Sequence, residues 1–187
     1  MPEHMRDSPR AINPYFWRDG GVRVSGRDMS AMVRSPCYKR GELRCTSCHS
    51  MHAEEVDDDD LDGWRHHQLK PGMRGDAACT QCHEKTEFAA KKHTHHPAES
   101  AGSRCMNCHM PYTTWGLLRG IRSHEITSPS VATELATGRP LACNQCHLDK
   151  SIRWSNQHLA EKWGQESVAL PSDPTLDVAS SVRWLLA

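Results

Sequence analysis

The chain has 187 residues, 37% of them hydrophobic, with a mean hydropathy of −0.71; it holds only two Phe and three Tyr, but nine Cys, thirteen His and six Trp. That length suits one domain with appendages, and that composition supplies too little apolar surface for an ordinary core. Lys plus Arg equals Asp plus Glu at 23 each, which excludes the basic footprint of a nucleic-acid binder, and no apolar run is long enough for a transmembrane segment.

Residues 1–36 read as an N-terminal arm. The opening MPEHMRDSPR is polar and lacks the apolar stretch of a signal peptide, so the sequence reads as a mature chain or a segment of a larger protein. Tyr15, Phe16 and Trp17 form an aromatic cluster expected to pack on the body of the domain. Val22 and Val24, set among Gly20, Gly21 and Gly26, read as a short strand or hairpin arm. Cys37, in SPCYKRG, is the odd cysteine and reads as a buried or free thiol, with an intermolecular link, or a role near a heme of a neighbouring segment, as the alternatives.

The stretch 37–165 is dominated by one five-residue unit used four times: CTSCH (Cys45, Cys48, His49), CTQCH (Cys79, Cys82, His83), CMNCH (Cys105, Cys108, His109) and CNQCH (Cys143, Cys146, His147). Cys-x-x-Cys-His is the attachment signature of c-type heme. Cysteines three positions apart share one side of a helical turn and can bond the two vinyl groups of one porphyrin. The histidine that follows then supplies an axial ligand to the iron. Paired Cys-x-x-Cys units also build zinc ribbons, but a ribbon does not require the histidine. At the chain's histidine content, four chance placements in four have a probability of roughly 2 in 100,000 against the bare zinc pattern. Redox-active thiol pairs are a further, weaker reading. Four covalently attached molecules of heme c are expected, and they supply the missing hydrophobic mass. The fold implied is mainly α with long loops wrapped on cofactors and little or no β-structure.

The histidines outside the motifs are candidate second ligands. His52, three residues after His49, shares its helical face and is placed to ligate a neighbouring heme rather than its own. The run AEEVDDDDLDG at 53–63 reads as a solvated loop, since its spacing fits no EF-hand. His66 and His67 follow it as weaker candidates, before a Pro-Gly break. In HTHHP, His93 and His96 lie one helical turn apart on one face and His95 points elsewhere; His96 is preferred over His93 as a ligand. Met110 is expected to pack. His124 ends a segment in which Gly116 and Gly120 would let the backbone loop round a ring. After the fourth motif, Ile152, Ser155, Leu159 and Trp163 keep a helical period and Gly164 suits the helix end; His158, four residues after Trp154, is a further ligand candidate. Residues 166–187 read as a linker punctuated by Pro171 and Pro174, then a short amphipathic helix carrying Val178, Val182, Leu185 and Leu186, expected to dock on the domain or on a partner. The motifs start 34, 26 and 38 residues apart, which is no solenoid period.

From about residue 12 to 163 the chain resembles bacterial multiheme (tetraheme) c-type cytochromes, of the kind related to the tetraheme carrier of hydroxylamine oxidation and to pentaheme nitrite reductases, often fused to tetratricopeptide or HEAT repeats. The resemblance is carried by FWRDGGVRVSG, SPCYKRGELRCTSCHSMH, KPGMRGDAACTQCH, HTHHPAESAGSRCMNCHMPYTTWGLLRGIRSHEITSPS and TGRPLACNQCHLDK. It implies bis-histidine hemes, a periplasmic or extracellular setting, and second ligands at His52, in the HTHH cluster and at His124. It lends no such support to His66 and His67. Such relatives usually carry further motifs upstream and repeats downstream, so the chain reads as one module of a larger protein.

Three functions follow as expectations. The first is electron transfer between redox partner proteins, because two imidazoles fill both iron faces and hold potentials low. Eight or so propionates would make the holoprotein acidic and favour basic partner surfaces. The second is reduction of nitrite, hydroxylamine or a similar substrate at one open-faced heme, which would also need acid and base groups aimed at it. The third is a subunit of an extracellular cytochrome filament built from copies of itself.

Overall fold

A computed structural model of the chain describes residues 15–24, 26–52, 61, 64–65, 68–84, 88, 91–116 and 119–186. The acidic run, except Leu61, and both His66 and His67 lie outside them. The described residues are mostly short helices and long connections, with one two-stranded sheet, as the composition implies. No helix among them is long and apolar enough to cross a membrane.

The N-terminal arm contributes single bridges rather than a strand: Phe16 pairs with Val22, and Val24 with Thr114. Gly20, at φ 80°, makes the turn between the first two. Helix α1 (Asp28–Met32) buries Ala31 and Met32. Helix α2 (Pro36–Arg40) opens on a proline, whose missing N–H costs nothing there. A set of ion pairs fixes this arm to the rest of the chain: Arg34 and Arg139 each reach both Asp19 and the buried Glu125 at 3.1–3.5 Å.

The heme motifs occupy helices of a single turn. These are α3 (Cys45–Cys48), α4 (Ala77–Thr80, just ahead of the second motif's last residues), α6 (Cys105–His109) and α8 (Ala142–Cys146). Helix α5 (Lys91–Thr94) carries the start of the histidine cluster. Where Gly116 and Gly120 suggested a loop, the chain forms an antiparallel hairpin. Strands β1 (Tyr112–Gly116) and β2 (Arg119–Arg122) align Thr113 with Ile121 and Tyr112 with Arg122. The β-branched and aromatic residues of both arms suit a pleated surface. The Arg122 guanidinium covers the Tyr112 ring at 4.0 Å and donates to Asn107 Oδ1 at 2.6 Å, which fastens the hairpin to the third motif.

Beyond residue 130 the architecture becomes conventional. Helix α7 (Val131–Thr137) is capped by Ser130, which accepts the Thr133 N–H, and ends at Gly138, φ 79°. Helix α9 (Ile152–Trp163) is capped by Ser151 and ends at Gly164, φ 63°, as its sequence indicates. Val131, Leu141, Ile152, Leu159 and Leu176 form one buried cluster, with Leu135, Val168 and Leu170 packed against it. Each such side chain contributes about 1.5–3 kcal/mol relative to exposure. The C-terminal segment folds back onto the domain. Leu176, in a 3-10 turn at Pro174–Asp177, is 1% exposed, and α10 (Ser180–Leu186) is anchored by Arg183 donating to the buried Glu134 at 2.7 Å. Val182 and Leu185 face outward.

Candidate functional site

Each motif closes its turn in the same way. The backbone N–H of the histidine donates to the carbonyl of the first cysteine in three of them: His49 to Cys45 at 2.9 Å, His83 to Cys79 at 3.0 Å and His147 to Cys143 at 2.8 Å. In the third, the whole unit Cys105–His109 is helical. Both cysteines of a motif thus sit on one turn, with the histidine at its end.

The four motifs follow one another in space as in sequence. Gln81, inside the second, donates toward Ser47 O of the first at 3.4 Å. Asp76, just before the second, accepts the backbone N–H of Cys105 at 2.9 Å and pairs with Arg104 at 3.6 Å. Gln145, inside the fourth, donates to Tyr112 O, just past the third, at 3.1 Å. Asn144, also in the fourth, is fully buried and joins Ser155 of α9 at 2.7 Å, which seats that motif on the apolar cluster.

Three motif histidines face a histidine from elsewhere. The ring centres of His49 and His124 are 6.2 Å apart, those of His109 and His93 6.2 Å, and those of His147 and His96 6.0 Å. Ordinary aromatic pairs scatter over about 4.5–7 Å; these three share one value and one pattern, motif against non-motif. The value has a coordination reading. Two metal–nitrogen bonds of about 2.0 Å, plus about 1.1 Å from each nitrogen to its ring centre, give about 6.2 Å between imidazoles on opposite faces of one ion.

The remaining ring nitrogens fit that reading. His49 Nδ1 lies 3.2 Å from Gln68 O, His109 Nδ1 3.0 Å from Thr127 O, and His96 Nδ1 2.5 Å from Thr94 O. A carbonyl oxygen only accepts, so Nδ1 carries the proton in each ring and Nε2 keeps its lone pair for a metal. His124 Nδ1 sits 3.1 Å from Asp28 Oδ1, a close approach that lacks the alignment of a hydrogen bond. Burial lowers the His109 and His147 pKa values below the usual imidazole range, favouring the neutral form that binds a metal.

Four of the motif cysteines, Cys48, Cys79, Cys108 and Cys143, are held toward the thiol form. Burial raises the Cys48 and Cys108 thiols, and pushes Cys143 up to about 11. A hydrogen bond between Cys79 and Cys105 raises the first and lowers the second. A catalytic Cys-x-x-Cys pair needs a depressed pKa, and among the described residues no three His, Cys, Asp or Glu side chains converge as a metal cluster. The donor set suits an ion whose other ligands come from a macrocycle.

Other candidates are placed differently. The His83 ring meets Phe88 edge-on at 5.3 Å, and Phe88 meets His93 at 5.4 Å, so one phenyl ring links the second motif to the histidine that faces His109. His52 is exposed beside the first motif. His158 stacks on Trp154 at 4.0 Å, with Nδ1 2.9 Å from Trp154 O; the same indole lies 5.1 Å from His147. His95, in a left-handed conformation, packs against Trp163, whose Nε1 donates to His93 O at 2.6 Å. Sequence reasoning did not find the acceptors Gln68, Thr94 and Thr127, because they act through backbone carbonyls.

Residues 94–169 match the family model of cytochrome c552. The match spans the third and fourth motifs with His95, His96, His124 and α9, and covers less than half of the chain. No curated protein and no solved structure matches the chain. The match supports a multiheme c-type cytochrome with covalently bound heme and redox partners.

Proposed function

We propose that the chain is a tetraheme electron carrier, one heme c at each Cys-x-x-Cys-His, with imidazoles on both faces of the irons. The observation that carries this reading is the set of three histidine pairs at 6.0–6.2 Å. On that support we assign His124 opposite His49, His93 opposite His109, and His96 opposite His147. For His83 we assign His52, because Gln81 ties the second motif to the first, where His52 lies. His158 serves as packing for Trp154 beside the fourth site.

Heme supplies reversible one-electron chemistry, with its potential held low by paired imidazoles. The chain's residues would hold each heme by its two motif cysteines and set imidazoles on both sides of it, leaving no open position for a substrate; contacts from Nδ1 to backbone carbonyls orient His49, His96 and His109, and Gln81, Asp76 and Gln145 keep neighbouring sites in contact. We read the chain as passing electrons reversibly between protein partners, in the periplasmic or extracellular setting that its resemblance to multiheme c-type cytochromes implies. The test is a pyridine hemochrome count with electron paramagnetic resonance on the purified holoprotein. Four hemes per chain, all low-spin, are expected. A high-spin signal that shifts with nitrite or hydroxylamine would replace the carrier by a reductase.

A further inference from the structure

The His96 ring lies directly over Gly102. A β-carbon built on Gly102 would overlap Cδ2 and Cγ of His96 and fall 2.8 Å from its Nε2. Real β-carbon contacts essentially never come below 3.0 Å. Gly102 is not among the residues with positive φ, so conformational freedom does not account for glycine here; the space its missing side chain leaves does. The ring is held from its other edge by Thr94 O, 2.5 Å from Nδ1. The turn beneath it, Ala101–Ser103, is itself fixed. Asn107 Nδ2 of the third motif donates to Ala101 O at 2.7 Å, Arg122 holds Asn107 Oδ1, and Ser103 Oγ donates to Ser100 O at 2.8 Å.

We propose that Gly102 is a positioning residue for the axial ligand of the fourth heme, its bare backbone forming the seat that holds the His96 ring opposite His147. The proposal rests on the pairing of His96 with His147 argued above. Because Asn107 anchors the seat, the helix that attaches the third heme also sets the ligation of the fourth. A methyl group on Gly102 leaves the backbone unstrained and displaces the nearest movable atoms, which are those of the imidazole.

The test compares holoprotein carrying Gly102→Ala, His96→Ala, both together, or Gly75→Ala; nothing lies within 4 Å of the position a β-carbon would take at Gly75. Gly102→Ala is expected to lose one low-spin ferric signal and gain one high-spin heme that binds carbon monoxide and returns to low spin with added imidazole. His96→Ala should do the same, and Gly75→Ala should match the wild type. If Gly102 acts only through the ring, the double variant equals His96→Ala in spectrum, heme content and Tm. A His96→Ala spectrum identical to wild type overturns the pairing and the proposal with it. A changed His96→Ala spectrum beside an unchanged Gly102→Ala spectrum overturns the proposal alone, as does a double variant markedly less stable than His96→Ala.

Discussion

The middle of the chain and its C-terminal third are built on different principles. Between Met32 and Val131, Trp115 left aside, no apolar side chain among the described residues is buried, although three of the four motifs lie there. From Val131 onward five apolar residues make a dry cluster, helices are capped at both ends, and the tail is tied back by Arg183 and Glu134. The polypeptide beyond residue 130 can account for much of its own stability. The polypeptide before it has one-turn helices, far below the length at which a helix holds itself. What is missing from that region is apolar surface of the kind a porphyrin brings.

The contrast breaks first if heme attachment is prevented. Replacing all eight motif cysteines by alanine should reduce amide protection across 37–124 to that of an unfolded peptide, while α7 and α9 keep measurable protection; hydrogen exchange with mass spectrometry checks this. Uniform protection, or uniform loss, would erase the distinction. A smaller perturbation attacks the other side. Ile152 is fully buried, so Ile152→Ala should cost about 3 kcal/mol in denaturant unfolding, with the low-spin signals of the first and third sites unchanged in native buffer. Smallest is a pH effect at Glu134, 2% exposed. Its pKa is raised, chiefly by desolvation, and Arg183 only partly offsets this. The folded form therefore binds the proton more tightly than the unfolded one. The resulting destabilisation is absent below the ordinary value of 4.5, grows as pH rises through the raised folded value, and is complete above it. The slope of Tm against pH in that window should flatten in Glu134→Gln.

Legibility followed the range of the signal. Cys-x-x-Cys-His is complete within five residues, so the four motifs, and the turns they close, were plain from the sequence. Helix α9 was plain for the same reason, with Ile152, Ser155, Leu159 and Trp163 on its period and Gly164 at its end. Glycines misled where the pattern was mixed. Gly116 and Gly120 suggested a loop, yet Tyr112, Thr113, Thr114 and Ile121 pair as a hairpin. The histidine pairing was not readable, because it depends on where rings arrive after folding. His93 and His96 share α5 and its exit, yet face His109 and His147 respectively. The docking of the tail depends on Glu134 and Arg183, 49 residues apart, a separation that no local pattern reports.

The proposed ring pairs also differ in how far apart their members lie along the chain. His93 precedes His109 by sixteen residues, His96 precedes His147 by fifty-one, and His49 precedes His124 by seventy-five. Closing the longest of these loops costs about 1.4 kcal/mol more chain entropy than closing the shortest. Assembly in a chain delivered from its N-terminus then runs out of numerical order. The third site can complete itself from a short local segment, whereas the first, though its attachment motif emerges earliest, waits for a partner that arrives only after the third motif.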